Sequence, residues 1–272
     1  MDEYLAEEFE RRLYEAAIQN LHALDNPLRF NNFAYAFREL TRHILKRVAP
    51  DEKVLGCSWY VNETDKPRGI TRKQRAYYAS QGGLSDDYVT NVLQIDVSKT
   101  HSELVKSINR LSKYTHIEEN VFDMSDVVID DLASDVIQSA SDFMDLISDL
   151  RESVISRVWD VIDREVLDGI ISETLISVDE IASHHFVEVV YTEEIIITDI
   201  TDIKIEFTVH GSLDCELQWG SGSDFRRGDG VALPINFPFS CNLYSLIEQP
   251  ERIAVEISSI QVDTSSWYGD TE

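Results

Sequence analysis

Two stretches of the chain, FRELTRHILKR and INRLSKYTHIEEN, set an arginine close before a histidine: Arg38 precedes His43, and Arg110 precedes His116. The two side chains divide the work of breaking a phosphodiester. Histidine, with an unperturbed pKa near about 6.5, can take up and release a proton at neutral pH. Arginine stays charged and can grip two phosphate oxygens, stabilising the charge that builds up in the transition state. RNA needs no metal for such chemistry, because its own 2′-hydroxyl attacks the adjacent phosphorus once a base removes the proton. Arg110, His116, Arg38 and His43 are therefore the candidate catalytic residues. Lys113 and Tyr114 add charge and orientation beside the second pair, and Arg42, Lys46, Arg72 and Arg75 extend a candidate nucleic-acid surface. Arg38, Arg42 and Lys46 recur at four-residue steps, which costs a few tenths of a kcal/mol per like-charged pair. A bound polyanion would offset that repulsion.

Helices must carry these groups. On a regular helix the five-residue step from Arg38 to His43 turns through about 140°. That pair can converge only on a substrate wedged between helices or across a dimer. Arg110, Lys113 and His116, at three-residue steps, share one face if their helix continues. Apolar residues at three- and four-residue spacing predict helices over 2–22 and 28–48, broken at Asn26-Pro27 and Ala49-Pro50. Residues 51–70 lack that period and read as an ordered loop. A short basic helix, 71–80, stops at Gly82-Gly83, and Ser85 caps a restart. Thr100 is the expected cap of a helix over 101–114. Two long helices, about 123–148 and 150–173, read as an antiparallel pair. Near residue 176 the period changes from 3.6 to 2, and VEVVY, EIIIT, KIEFTVHG, LDCELQWG, YSLIE and RIAVEISSIQV read as strands. The final WYGDTE reads as a loose tail. The expected class is α+β, with an α-helical domain, 1–175, followed by an acidic antiparallel β-sheet or sandwich domain, 176–272.

The net charge of −26 argues against a polyanionic partner, but it is unevenly spread. Residues 1–115 hold 17 Lys and Arg against 16 Asp and Glu, a net of +1, while the remainder holds 7 against 34, a net of −27. RNA or another nucleic acid is thus expected on residues 1–120, and the acidic β domain is left for solubility or for a protein partner. No apolar run is long enough to span a membrane, and the acidic, amphipathic N-terminus is unlike a secretory signal, so a cytoplasmic protein with no membrane partner is expected. The three cysteines, Cys57, Cys215 and Cys241, lack metal-type spacing and read as packed thiols. No internal repeat, phosphate-binding glycine loop or nucleophile elbow occurs, and no cofactor is expected.

The spacing of arginine and histidine in an all-helical region resembles that of HEPN domains. These small helical modules are often dimeric, and many are metal-independent ribonucleases. The phrases NNFAYAFRELTRHILKRVAPDE, TRKQRAYYASQGGLSDDYV and LSKYTHI resemble, more specifically, the predicted nuclease families that accompany prokaryotic PIWI-type and other defence genes. The resemblance covers roughly residues 26–125 and extends to LQWGSGSDFRRGDG in the β domain. Many HEPN nucleases carry Asn or another polar residue directly after the arginine, where this chain has Glu39 and Leu111. The resemblance implies a HEPN-like first domain, a homo-oligomer, and an antiphage nuclease whose Arg/His pairs cut RNA without metal, the β domain holding a partner or sensing a trigger.

Other readings compete. Glu39 and His43 can pair as surface residues, with Arg42 laid over the apolar face, in a non-catalytic binding or scaffolding protein. Asp123, Asp126, Asp130, Asp131 and Asp135 scatter around their helix as a solvated acidic face; a metal-dependent nuclease built on them is the third reading. His184-His185 lacks the carboxylate or cysteine partners of a metal site. Arg226, Arg227 and Asp229 form either a β-turn ion pair or a partner-contact loop.

Overall fold

The computed structural model describes residues 5–172, 175–182 and 184–269. Met1 to Tyr4, where the first helix was expected to begin, and the last three residues of the expected tail lie outside it. The chain divides into two compact units, Met1–Glu152 and Ser153–Glu272.

In the first unit, α1 (Glu8–Leu21) and α2 (Arg29–Val48) are joined across Pro27. Phe30, Phe33, Phe37 and Leu40 recur on one face of α2 and are buried. Arg47 clamps Glu10 with Nε and a terminal nitrogen, each 2.9 Å from a carboxylate oxygen, and Glu10 is only 1% exposed. Residues 51–56, expected as loop, form α3 (Asp51–Gly56): Pro50 sits just before its first turn, where a missing amide costs nothing. Thr71 and Gln74 form a reciprocal capping box at the start of α4 (Arg72–Gln81), which ends at Gly82 with φ +57°. Ser85 Oγ accepts from the Tyr88 amide and opens a turn leading into a π-helical stretch, Tyr88–Val92. Next comes α5 (Val97–Leu111), capped not by Thr100 but by Asp96, whose carboxylate accepts from the Ser98 amide. A 3-10 turn, Ser112–Tyr114, follows.

The expected antiparallel pair is a single helix of 47 residues, α6 (Asp126–Ser172). No Pro or Gly interrupts 126–168, and Asp149-Leu150-Arg151 continues the helix. The apolar period runs through unbroken: Ile129, Ala133, Val136, Ala140, Phe143, Ile147, Leu150 and Val154 are all buried. The far end of α6 belongs to the second unit. There a Cβ on Gly169 would meet Val255 at 3.5 Å, and Arg157 Nε donates to Glu251 at 2.7 Å.

After the short α7 (Ile176–Asp179), the second unit forms an open antiparallel sheet, not a sandwich. Its strands are β1 (His184–Ile200), β2 (Lys204–Trp219), β3 (Val231–Leu246), β4 (Ile253–Val255) and β5 (Gln261–Val262), in the order β1-β2-β3-β4 with β5 also on β3. Alternate residues of β2, among them Phe207, Val209, Leu213, Cys215 and Leu217, are buried beside Phe237, Phe239 and Cys241 of β3. Burial pushes the Cys215 and Cys241 thiols up to about 11. Three bulges interrupt β1, leaving Glu188, Glu193 and Thr198 as the extra residues. Opposite the second, Gly211 lets the strands close: a Cβ there would lie 2.1 Å from the Tyr191 carbonyl.

Candidate functional site

The α2 segment is a connected polar cluster. The Glu39 carboxylate accepts from Arg38 at 3.2 Å and from Arg42 Nε at 2.8 Å. Burial pushes the Glu39 pKa up, but the hydrogen bonds and charges of Arg42 and Arg38 outweigh it and hold the group below its ordinary value. A terminal nitrogen of Arg42 lies 3.1 Å from His43 Nε2. A guanidinium only donates, so in a hydrogen bond between the two groups Nε2 is the acceptor. The Phe9 ring of α1 meets the imidazole edge-on, centroids 5.1 Å apart. The surface pairing expected between Glu39 and His43 is thus replaced by arginines binding each of them. The five-residue step still separates Arg38 from His43, and Arg42 stands between.

The second segment is not one helical face. Because α5 ends at Leu111, Lys113 and Tyr114 lie in the 3-10 turn and His116 in an exposed bend beyond it. Arg110 is bound to Asp135 of α6 at 2.9 Å. The two segments nevertheless touch: Asn31 of α2 donates to the Tyr114 carbonyl at 2.8 Å, and the Phe30 and Tyr114 rings meet edge-on at 4.9 Å. Arg38 stands seven residues further along α2, about 10 Å in rise.

The basic helix α4 is anchored at both arginines. Arg72 donates to Asn109 of α5 at 2.7 Å, and Arg75 to the Ala49 carbonyl and to Asp51 at 2.5 and 2.6 Å. The hydrogen bond from Arg75 lowers the Asp51 pKa, its charge assists, and nearby Lys46 acts the same way. Lys46, Asp51 and Arg75 therefore form a second charged group near the C-terminal end of α2.

Arg226 and Arg227 lie on α8 (Gly222–Arg227), a short helix between β2 and β3, where a β-turn was expected. Ser221 and Asp224 form its capping box, and Gly228 closes it with φ +81°. Arg227 pairs with Asp224 at 2.7 Å and approaches Asp229 at 4.0 Å. His185 pairs with Asp179 at 2.8 Å. Among the described residues, no three His, Cys, Asp or Glu side chains are grouped to hold a metal ion, and no helix is long and apolar enough to cross a membrane.

The chemical reading of the sequence missed His101. Its side chain is buried, Nε2 lies 2.7 Å from Ser80 Oγ, and its ring packs against Tyr77 and Phe143 at 4.4 and 5.8 Å. Burial, helped by the charge of Lys73, lowers its pKa to about 4. The signal was present, since Val97, His101, Leu104, Ile108 and Leu111 make one buried stripe. Tyr35 was also missed: it is 58% exposed on α2, with the Arg38 guanidinium 5.8 Å from its ring centroid.

Comparison with known proteins gives two matches. Residues 2–140 match one family model and residues 147–268 a second, both described as predicted pPIWI-associating nuclease. No curated protein and no solved structure matches the chain. With one model covering about half the chain and the other most of the remainder, the protein belongs to the predicted pPIWI-associating nucleases.

Proposed function

We propose that this nuclease-family protein is an antiphage effector that cuts RNA without metal, using the Arg38, Arg42 and His43 cluster of α2. The observation that carries the reading is His43 Nε2 lying 3.1 Å from a guanidinium, with a second guanidinium joined through Glu39. A phosphate drawn to Arg42 and Arg38 would compete with Glu39 and release Nε2. That nitrogen then takes the proton from a 2′-hydroxyl. The 2′-oxygen bonds to phosphorus, the bond to the 5′-oxygen breaks, and the leaving oxygen takes a proton from solvent, giving a 2′,3′-cyclic phosphate. Arg110 and His116, with Lys113 and Tyr114 beside them, form a second such pair reached across the Asn31 to Tyr114 contact, and Lys46, Arg72 and Arg75 continue the phosphate-binding surface. In the same proposal the protein is cytoplasmic and acts as a homo-oligomer, and the β domain holds a partner, contacted by Arg226, Arg227 and Asp229. The family description, which ties these nucleases to prokaryotic PIWI proteins, supports a defence partner.

The test is RNA cleavage in excess chelator. His43→Ala and His116→Ala should each slow it about 10² to 10⁴-fold if the histidine transfers a proton. Arg110→Lys should fail almost as badly as alanine, because lysine loses the two-pronged grip. Full activity in both histidine variants would refute the reading. A binding role without cleavage is favoured by Glu39 holding both Arg38 and Arg42, and by Asp135 holding Arg110; RNA bound but left intact under every activating condition would establish it.

A further inference from the structure

We infer that Tyr35 is a stacking platform for an unpaired nucleobase, which makes α2 a single-strand site and not a duplex site. The inference rests on reading α2 as a phosphate-binding surface, but not on cleavage. Around a regular helix Tyr35, Arg38, Arg42 and Lys46 fall within about 80° of one another, and they extend about 16 Å along it. One stripe thus carries an aromatic ring at one end and three cations after it. Helix α2 buries its other aromatics, Phe30, Phe33 and Phe37, almost completely, whereas Tyr35 is 58% exposed. Nothing in the core requires the ring at that position. Arg38 lies over it at 5.8 Å, an attraction that orients both groups, and the ring's remaining surface faces solvent.

The Arg38 Nε is buried with no acceptor. Such a donor is costly to leave unmade, so the arginine is held where it is by the ring, by Glu39 and by its surroundings rather than by a full set of bonds. A phosphate that displaces Glu39 and draws the guanidinium outward supplies acceptors, and the base of that nucleotide then comes within reach of Tyr35. In a duplex the faces of the bases are covered by their stacked neighbours. A side chain projecting from a helix can meet only a base that has left the stack. Ring and cations together therefore select a single strand: the cations bind any backbone, and the ring adds affinity only where a base is free.

The full-length protein should be tested by fluorescence anisotropy with labelled 2′-O-methyl oligouridylate, which cannot be cut through its 2′-oxygen, with oligothymidylate, and with a duplex of equal length. The wild type should bind at least one single strand more tightly than the duplex. Tyr35→Ala and Tyr35→Leu should lose about tenfold on that strand, about 1.4 kcal/mol, and nothing on the duplex. Tyr35→Phe should stay within about twofold, and the salt dependence should not change, because no phosphate contact is removed. An effect in the uridylate arm alone assigns the site to RNA; an effect in both assigns it to single strands of either sugar. Unchanged single-strand affinity in both Tyr35→Ala and Tyr35→Leu, an equal loss on the duplex, or no single-strand binding by the wild type would overturn the inference. Absence of cleavage with ring-dependent binding would remove the nuclease mechanism and leave the platform; cleavage with ring-independent binding would do the reverse.

Discussion

His101 should make the first unit acid-sensitive well above the range where carboxylates titrate. Its pKa is lowered from 6.5 to about 4, chiefly by burial against Tyr77 and Phe143 and next by the charge of Lys73. The unfolded chain therefore binds a proton that the folded chain refuses, and stability falls with pH between those two values. The contribution is fully present above about pH 6.5 and is lost as pH falls through about 4. At one pKa unit per 1.36 kcal/mol, the loss from pH 7 to pH 5 comes to about 2 kcal/mol, with about 1 more by pH 4. A domain's total stability is about 5–15 kcal/mol, so this is a large share. Urea denaturation at pH 7 and pH 5 should compare the wild type with His101→Leu, which removes the titration while the Ser80 hydroxyl keeps a carbonyl acceptor, that of Ala76 or Tyr77, each at 3.1 Å. Cavity and packing effects of the leucine are independent of pH and drop out of the comparison. The stability of the wild type minus that of the variant should fall by about 2 kcal/mol on acidification. A gap that stays constant would refute the reasoning.

Three further outcomes follow from the packing. Glu10→Gln should lower stability by about 1–3 kcal/mol in urea denaturation, since the buried amide takes up only part of the hydrogen bonding of the carboxylate to Arg47; Glu10→Met with Arg47→Met should recover most of it. Gly211→Ala should unfold the sheet at lower temperature by calorimetry, because the new Cβ meets the Tyr191 carbonyl at 2.1 Å. Cys215 and Cys241, with pKa values pushed up to about 11 by burial, should resist iodoacetamide at pH 8 until the protein is denatured.

Elements with a local signal were legible, but a long period alone was not enough: α6 was divided, and of β3 only its end, YSLIE, was read as a strand. The phenylalanines of α2, the capping box at Thr71, the stop at Gly82 and the alternation in β2 each carry their own local cause. The errors arose where two local signals competed. Asp96 and Thr100 are both good caps, and only the fold decides that Val97 is buried and belongs inside the helix. Nothing in SDLRES marks a turn, and the apolar period continues through it, so the residues there specify one helix and not a pair. The arginines and histidines could be found by type, but their partners could not: Glu39 is adjacent in sequence to Arg38, whereas Asp135, which holds Arg110, lies 25 residues away. His101 was hidden because a histidine in an apolar stripe offers composition no distinction between core and catalyst.

The bulges of β1 also bear on what the protein avoids. A strand of 17 residues at the end of a sheet presents a long template on which another chain could add. Each bulge breaks the repeat that an incoming strand must match, and two of the three extra residues are glutamates. An approaching copy would therefore meet both a misfit and its own negative charge. Glu193 is tied down by a 2.7 Å bond from Ser212 Oγ, which fixes that charge at the middle of the strand. The irregularity of β1 is thus a barrier to edge-to-edge polymerisation, and straightening the strand by deleting Glu188 and Glu193 would turn the sheet toward fibre growth.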